Sequence, residues 1–216
     1  MNVASFAKKV VKTKFKKRLY LILFCCLIEV QCAVAAPVVN GKYSKVDLYL
    51  DLGQTQEAAS LMRNFKDKTD PNYHYYQGRI ASMFKRNQES LQHFQQAISL
   101  NPKHAKAFAA MALVKGRMGK FQDALKDLDR AISIDPGYAK AYSNRGVTRG
   151  ALQQNKAAIN DFSQAIRLDP RLADAYRNRG ITREMTGDLK GACADWKVAS
   201  ALGQEGPGQW FAAQCK

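Results

Sequence analysis

At 216 residues, with 46% hydrophobic and 24% charged residues, the chain has the composition of a folded protein and is too rich in apolar residues for a disordered one. Its formal net charge of +16 favours anionic partners or surfaces, but charge bears on association rather than on fold.

The first 18 residues carry Lys8, Lys9, Lys12, Lys14, Lys16, Lys17 and Arg18 and no acid. An uncharged apolar run, LYLILFCCLI, follows at 19–28, and then the small-residue stretch AVAAP at 33–37. A basic head, a short apolar core and an A-x-A site read as a secretory signal peptide over 1–35. The expected cut falls between Ala35 and Ala36, because a cut one residue later would place Pro37 first. An uncleaved anchor over residues 19–36 is the alternative. The apolar core is about half of the ~20 residues that span a bilayer, and Glu29 interrupts its extension. The sequences before Cys25, Cys26 and Cys32 suit lipid attachment poorly. Removing residues 1–35 takes seven basic groups and one acid. It leaves 27 Lys+Arg against 17 Asp+Glu, a net charge of +10.

Cysteine usage agrees with export. Three of five cysteines lie in the leader, leaving Cys193 and Cys215. Two cysteines in a mature chain suggest one disulfide in an oxidising compartment, with two unrelated reduced thiols as the alternative. A loop of this size gives a bond that contributes about 3 kcal/mol.

Beyond the leader a period of 34 residues dominates. Asn101-Pro102, Asp135-Pro136 and Asp169-Pro170 recur at that interval, closing HFQQAISLNP, DLDRAISIDP and DFSQAIRLDP. Aligned on them, units run 71–104, 105–138, 139–172 and 173–206. Position 8 of each unit holds Gly78, Ala112, Gly146 or Gly180, and position 24 holds Phe94, Leu128, Phe162 or Trp196. Position 4 holds His74, Phe108, Tyr142 and Tyr176. Position 20 holds Ser90, Ala124, Ala158 and Ala192, and position 27 is always alanine. Small residues let two helices approach closely while bulky ones fill the space beside them.

Small residues at 8, 20 and 27, bulky ones at 4 and 24, and proline at 32 of a 34-residue unit resemble the tetratricopeptide repeat (TPR). The resemblance implies an all-α, right-handed solenoid of helix-turn-helix hairpins, used to bind other proteins rather than to catalyse. Residues 36–70 look like a degenerate N-terminal hairpin, with Gly53 at the turn and Ala58 in the position-20 role. Residues 207–216, with Pro207, Trp210 and Phe211, read as a short C-terminal capping helix that Cys193–Cys215 would pin. The phrase GACADWK…SALG…QC is similar to the ends of exported bacterial TPR proteins.

Two units also share NRGxTR, which puts Arg145, Arg149, Arg179 and Arg183 at positions 7 and 11, sites that the family usually fills with apolar residues. Position 23 on the second helices holds Asp127, Asp161 and Asp195. An arginine column and an aspartate column with one period predict inter-helix ion pairs, since an unpaired buried charge costs several kcal/mol. The carboxylate clamp of chaperone-docking TPR domains does not fit. Asn144 matches it, but Ala109, Leu113, Asp174 and Asn178 do not.

His74, His93 and His104 occupy different repeat positions, and no metal-ligand spacing, phosphate loop or nucleophile motif accompanies them. No enzyme activity, cofactor, metal or nucleic-acid partner is expected. The inner face of the first helices is the expected binding groove. It is lined by Lys106, Ala109 and Leu113, then Lys140, Ser143 and Val147, then Asp174, Arg177 and Ile181. It suits an extended peptide or a partner helix in a periplasmic or other extracytoplasmic space. The alternative is a basic protein that docks on anionic membrane or polysaccharide.

Overall fold

The computed structural model describes residues 41–204 and 215. The signal peptide expected at 1–35 and the cap expected at 207–216 therefore lie outside the described residues, Cys215 excepted. The helices described here all lie within one compact unit, Lys42–Lys216. Among the described residues there are ten helices and no strand.

The helices pair in sequence. α1 (Ser44–Asp51) and α2 (Thr55–Met62) form a short first hairpin. α3 (Pro71–Met83) pairs with α4 (Asn87–Leu100), and α5 (Ala105–Arg117) with α6 (Phe121–Ile134). α7 (Ala139–Ala151) pairs with α8 (Asn155–Leu168), and α9 (Ala173–Met185) with α10 (Leu189–Ala201). Each second helix also packs on the next first helix. α3, α5, α7 and α9 touch in succession along one face.

Volume matching explains the pairing. An added Cβ on Gly78 would stand 2.6 Å from the Phe94 ring, and one on Gly146 would stand 2.7 Å from the Phe162 ring. On Gly180 it would collide with the Trp196 indole. Where the partner is the smaller Leu128, position 8 carries Ala112, so each crossing is filled without overlap. Phe94, Phe162, Leu128 and Trp196 are all at most 1% exposed. Alanines at positions 20 and 27 let the opposed backbones come close, and Ala124, Ala131, Ala158, Ala165, Ala192 and Ala199 are fully buried.

Turns repeat as strictly as the core. Between first and second helix, Lys85, Gly119, Gln153 and Gly187 all take a left-handed backbone, with φ of 59°, 75°, 58° and 86°. Two of these four sites thus impose on a side chain a conformation that glycine adopts freely. At the far end of the three middle hairpins an Asn-Pro or Asp-Pro pair stops the helix. Asn101, Asp135 and Asp169 each accept a hydrogen bond from the backbone N–H two residues on, at 3.0 Å. The proline that follows has no N–H to continue the ladder.

In the first hairpin Ala58 is fully buried and Gly53 has φ +73°. It is tied to the second by aromatic stacking. The Tyr43 ring lies 4.8 Å from both Phe65 and Tyr76, and Asp70 accepts from the Tyr43 hydroxyl and from Lys42.

Candidate functional site: an open groove beside a closed ion-pair ladder

Two features were anticipated on the same helices, and they lie side by side in the structure. The first is the arginine column. Arg145 meets Asp161 with two nearly parallel hydrogen bonds, Nη2 to Oδ1 at 2.8 Å and Nε to Oδ2 at 3.1 Å. Arg149 adds a third to Asp161 at 2.8 Å. One period on, Arg179 meets Asp195 at 2.7 and 2.9 Å, and Arg183 adds a bond at 2.9 Å. Both aspartates are 3% exposed.

Partner choice follows from helix geometry. Position 23 of a hairpin faces positions 7 and 11 of its own first helix, which share a side because they are four residues apart. Arg179 therefore takes Asp195 rather than Asp161. The remaining nitrogen of each position-7 arginine reaches back to the preceding hairpin, Arg145 to Asp129 at 2.7 Å and Arg179 to the Ser163 hydroxyl at 3.0 Å. Each arginine thus ties two units together. Their planes also face aromatic rings, Arg145 at 5.3 Å from the Tyr142 centroid and Arg179 at 5.7 Å from Tyr176. Burial opposes charge on Arg145, but hydrogen bonds to Asp161 and Asp129 outweigh it and hold its pKa above the ordinary value.

Asp127 lies at the same place one hairpin earlier, but position 7 there is Met111, so Lys115 is its partner at 2.6 Å. Burial raises the Asp127 pKa, and Lys115 offsets part of that rise. One hairpin earlier still the column becomes a histidine pair. His93 Nδ1 lies 3.4 Å from His74 Nδ1, and His74 Nε2 lies 2.9 Å from the Lys68 carbonyl. Sequence reasoning treated these histidines as unrelated, although one stands in the position-4 column and the other in the position-23 column. In the hairpin of α3 and α4 these two positions meet.

The second feature is the groove. A cavity of about 920 Å³ runs along the first helices. Lys106, Ala109, Leu113, Lys140, Ser143, Val147 and Asp174 line it, as does Asn144. Arg177 and Ile181 lie outside this lining. The last hairpin contributes Asp174 and Asn178 instead, because a twisted stack turns successive equivalent positions away from one another. At the N-terminal end the lining includes Asp47, Asp51 and Arg79, which the repeat alignment does not single out. Arg79 is ion-paired there with both aspartates, and Tyr76 donates a hydrogen bond to Asp47.

Within the groove, groups that are satisfied alternate with groups that are not. Leu113 and Val147 are 45% and 48% exposed, high values for large aliphatic side chains on well-packed helices. Lys106 and Lys140 are exposed and belong to none of the ion pairs or hydrogen bonds among the described residues. The arginines, by contrast, are committed to buried carboxylates. No group of three or more His, Cys, Asp or Glu side chains among the described residues could hold a metal. None of the described helices is long and apolar enough to cross a membrane.

Comparison with known proteins bears on the fold. Among curated proteins none matches the chain in sequence. MamA (residues 41-end) from Desulfovibrio magneticus RS-1 is 22% identical, with a TM-score of 0.58 over 73% of this chain and 90% of its own. YrrB, described as a TPR protein with an unusual peptide-binding site, is 18% identical, with a TM-score of 0.56 over 78% and 88%. The Arabidopsis OM64 TPR domain is 28% identical, with a TM-score of 0.52 over 53% and 95%. A tetratricopeptide-repeat model matches residues 43–105, another matches 105–138, and a TPR-repeat model matches 151–187. Together these matches cover more than half of a chain whose structure is an all-α stack of such hairpins, and the protein belongs to the tetratricopeptide-repeat family.

Proposed function

We propose that this TPR protein is an exported, non-catalytic adaptor that holds a peptide or a partner helix in the groove formed by α3, α5, α7 and α9. The observation that carries the reading is the contrast between the two features on those helices. Arg145, Arg149, Arg179 and Arg183 are spent on buried aspartates, whereas Lys106, Lys140, Leu113 and Val147 face the cavity uncommitted. Unpaired cations beside exposed aliphatic groups are what a binding surface holds ready before its partner arrives.

Export is supported by the leader over 1–35 and by the cysteines. The Cα atoms of Cys193 and Cys215 lie 5.7 Å apart, within the ordinary span of a disulfide, which supports a bond between them. An oxidising extracytoplasmic compartment, such as a periplasm, would maintain that bond. Thiol counting without reductant on protein recovered from its own compartment should find no free thiol at Cys193 or Cys215. Two free thiols there would remove the disulfide and weaken the case for export.

A photocrosslinker placed at Val147 tests the groove. It should capture discrete protein partners in the native compartment, whereas the same group at Lys156, exposed on α8 and outside the groove, should not. Equal capture from both sites would overturn groove binding. The basic surplus of the mature chain also allows docking on an anionic surface. Such docking should collapse between about 50 and 200 mM salt, while capture at Val147 should persist.

A further inference from the structure

The charges along the groove define what kind of segment fits, provided that the groove-binding reading above holds. Lys106 and Lys140 occupy the same repeat position on α5 and α7. Neighbouring first helices lie about 8–10 Å apart, so the two ammonium groups form a positive pair with roughly that spacing. Leu113 and Val147 sit two turns further along the same two helices. The positive pair is bounded on both sides by acid. Asp174 follows on α9, where Gln204 donates to it at 2.7 Å, and Asp47 and Asp51 precede on α1 around Arg79.

An acid–base–acid pattern rejects a uniform polyanion, because its ends would meet carboxylates. It also rejects a basic segment, which would meet the lysines at the centre. We infer that the partner is a polypeptide segment presenting two carboxylates about 10 Å apart to Lys106 and Lys140, with apolar side chains covering Leu113 and Val147. That spacing corresponds to acids three residues apart on a polyproline-II segment, where every third side chain shares a face, or seven apart on a helix.

The test uses the purified full chain and fluorescein-labelled 12-residue peptides, rich in leucine, that carry a glutamate pair three or seven residues apart. Counterparts carry glutamine or lysine in place of the pair. At 150 mM salt, fluorescence anisotropy should show at least one glutamate peptide binding about tenfold more tightly than its glutamine counterpart, and no binding by the lysine peptides. Lys106→Glu with Lys140→Glu should reverse that order. All four groove side chains are exposed, so the variants should keep the parent circular dichroism.

Equal binding of glutamate and glutamine peptides, or no binding by either, overturns the acidic partner. A heparin fragment that binds more tightly than any glutamate peptide overturns it in favour of a polyanion. Leu113→Asp with Val147→Asp tests the underlying reading separately. If peptide binding survives that change, the groove itself is the wrong site. If the change abolishes equal glutamate and glutamine binding, the groove stands and only the acidic partner falls.

Discussion

Asp161 is held by two arginines of its own hairpin, and the nearer, Arg145, engages it through both Nε and Nη2 while Nη1 bonds Asp129 of the preceding hairpin. A carboxylate that is 3% exposed would be costly alone, and the same is true of the guanidinium groups around it. Asp161→Ala should therefore cost about 3 kcal/mol in urea unfolding, because it strands Arg145 and Arg149. Arg145→Met combined with Asp161→Leu should cost clearly less than the sum of the single changes. Strict additivity would show that the pair contributes no coupling.

The glycine at position 8 is a packing requirement. Gly146→Ala pushes a methyl group into the Phe162 ring and should destabilise by about 1–3 kcal/mol. Adding Phe162→Leu should recover part of that loss, since the chain already combines Ala112 with Leu128. Thermal melts of the two variants would decide, and no recovery would mean that the strain lies elsewhere.

Gln153 carries a side chain at φ 58°, where the neighbouring hairpins use Gly119 and Gly187. Gln153→Gly should raise stability by about 0.5–1 kcal/mol, because relief of left-handed strain exceeds the added entropy of the unfolded chain. A fall in the urea midpoint would show that the side chain contributes more than the strain removes.

Burial lowers the pKa of both His93 and His104, and positive charge nearby lowers it further, from His74 for the first and Lys106 for the second. Glu89 acts in the opposite direction on His93. His104 Nδ1 also accepts the Ala107 N–H at 3.3 Å as the helix cap of α5, a bond that protonation at that nitrogen removes. With folded pKa values below the unfolded one, the stability contribution is present above about pH 6.5 and is lost as pH falls through the folded values. Melting temperature should decline from pH 7 to pH 5, and His93→Gln with His104→Asn should flatten that decline. An unchanged slope in the double variant would assign the pH dependence to other groups.

The 34-residue period, the hairpin fold and the small-against-bulky columns were legible in the sequence because each depends on residues within one or two hairpins. A repeat enforces the same local packing every time, so the pattern survives in one dimension. The arginine column was legible as needing carboxylates, since burial on a packed helix face permits no other solution.

Which carboxylate each arginine takes was decided by how the two helices of a hairpin face each other. Arg179 turns to Asp195 of its own hairpin, and the stacking of hairpins brings Ser163 of the preceding one within its reach. Asp47 with Arg79 is likewise a contact between hairpins, and the irregular spacing of the first hairpin hides it from the repeat alignment. The uncommitted state of Lys106 and Lys140 belongs to tertiary structure most of all. A lysine in a sequence is only a charge, and its partners or their absence are fixed by what the fold brings within reach.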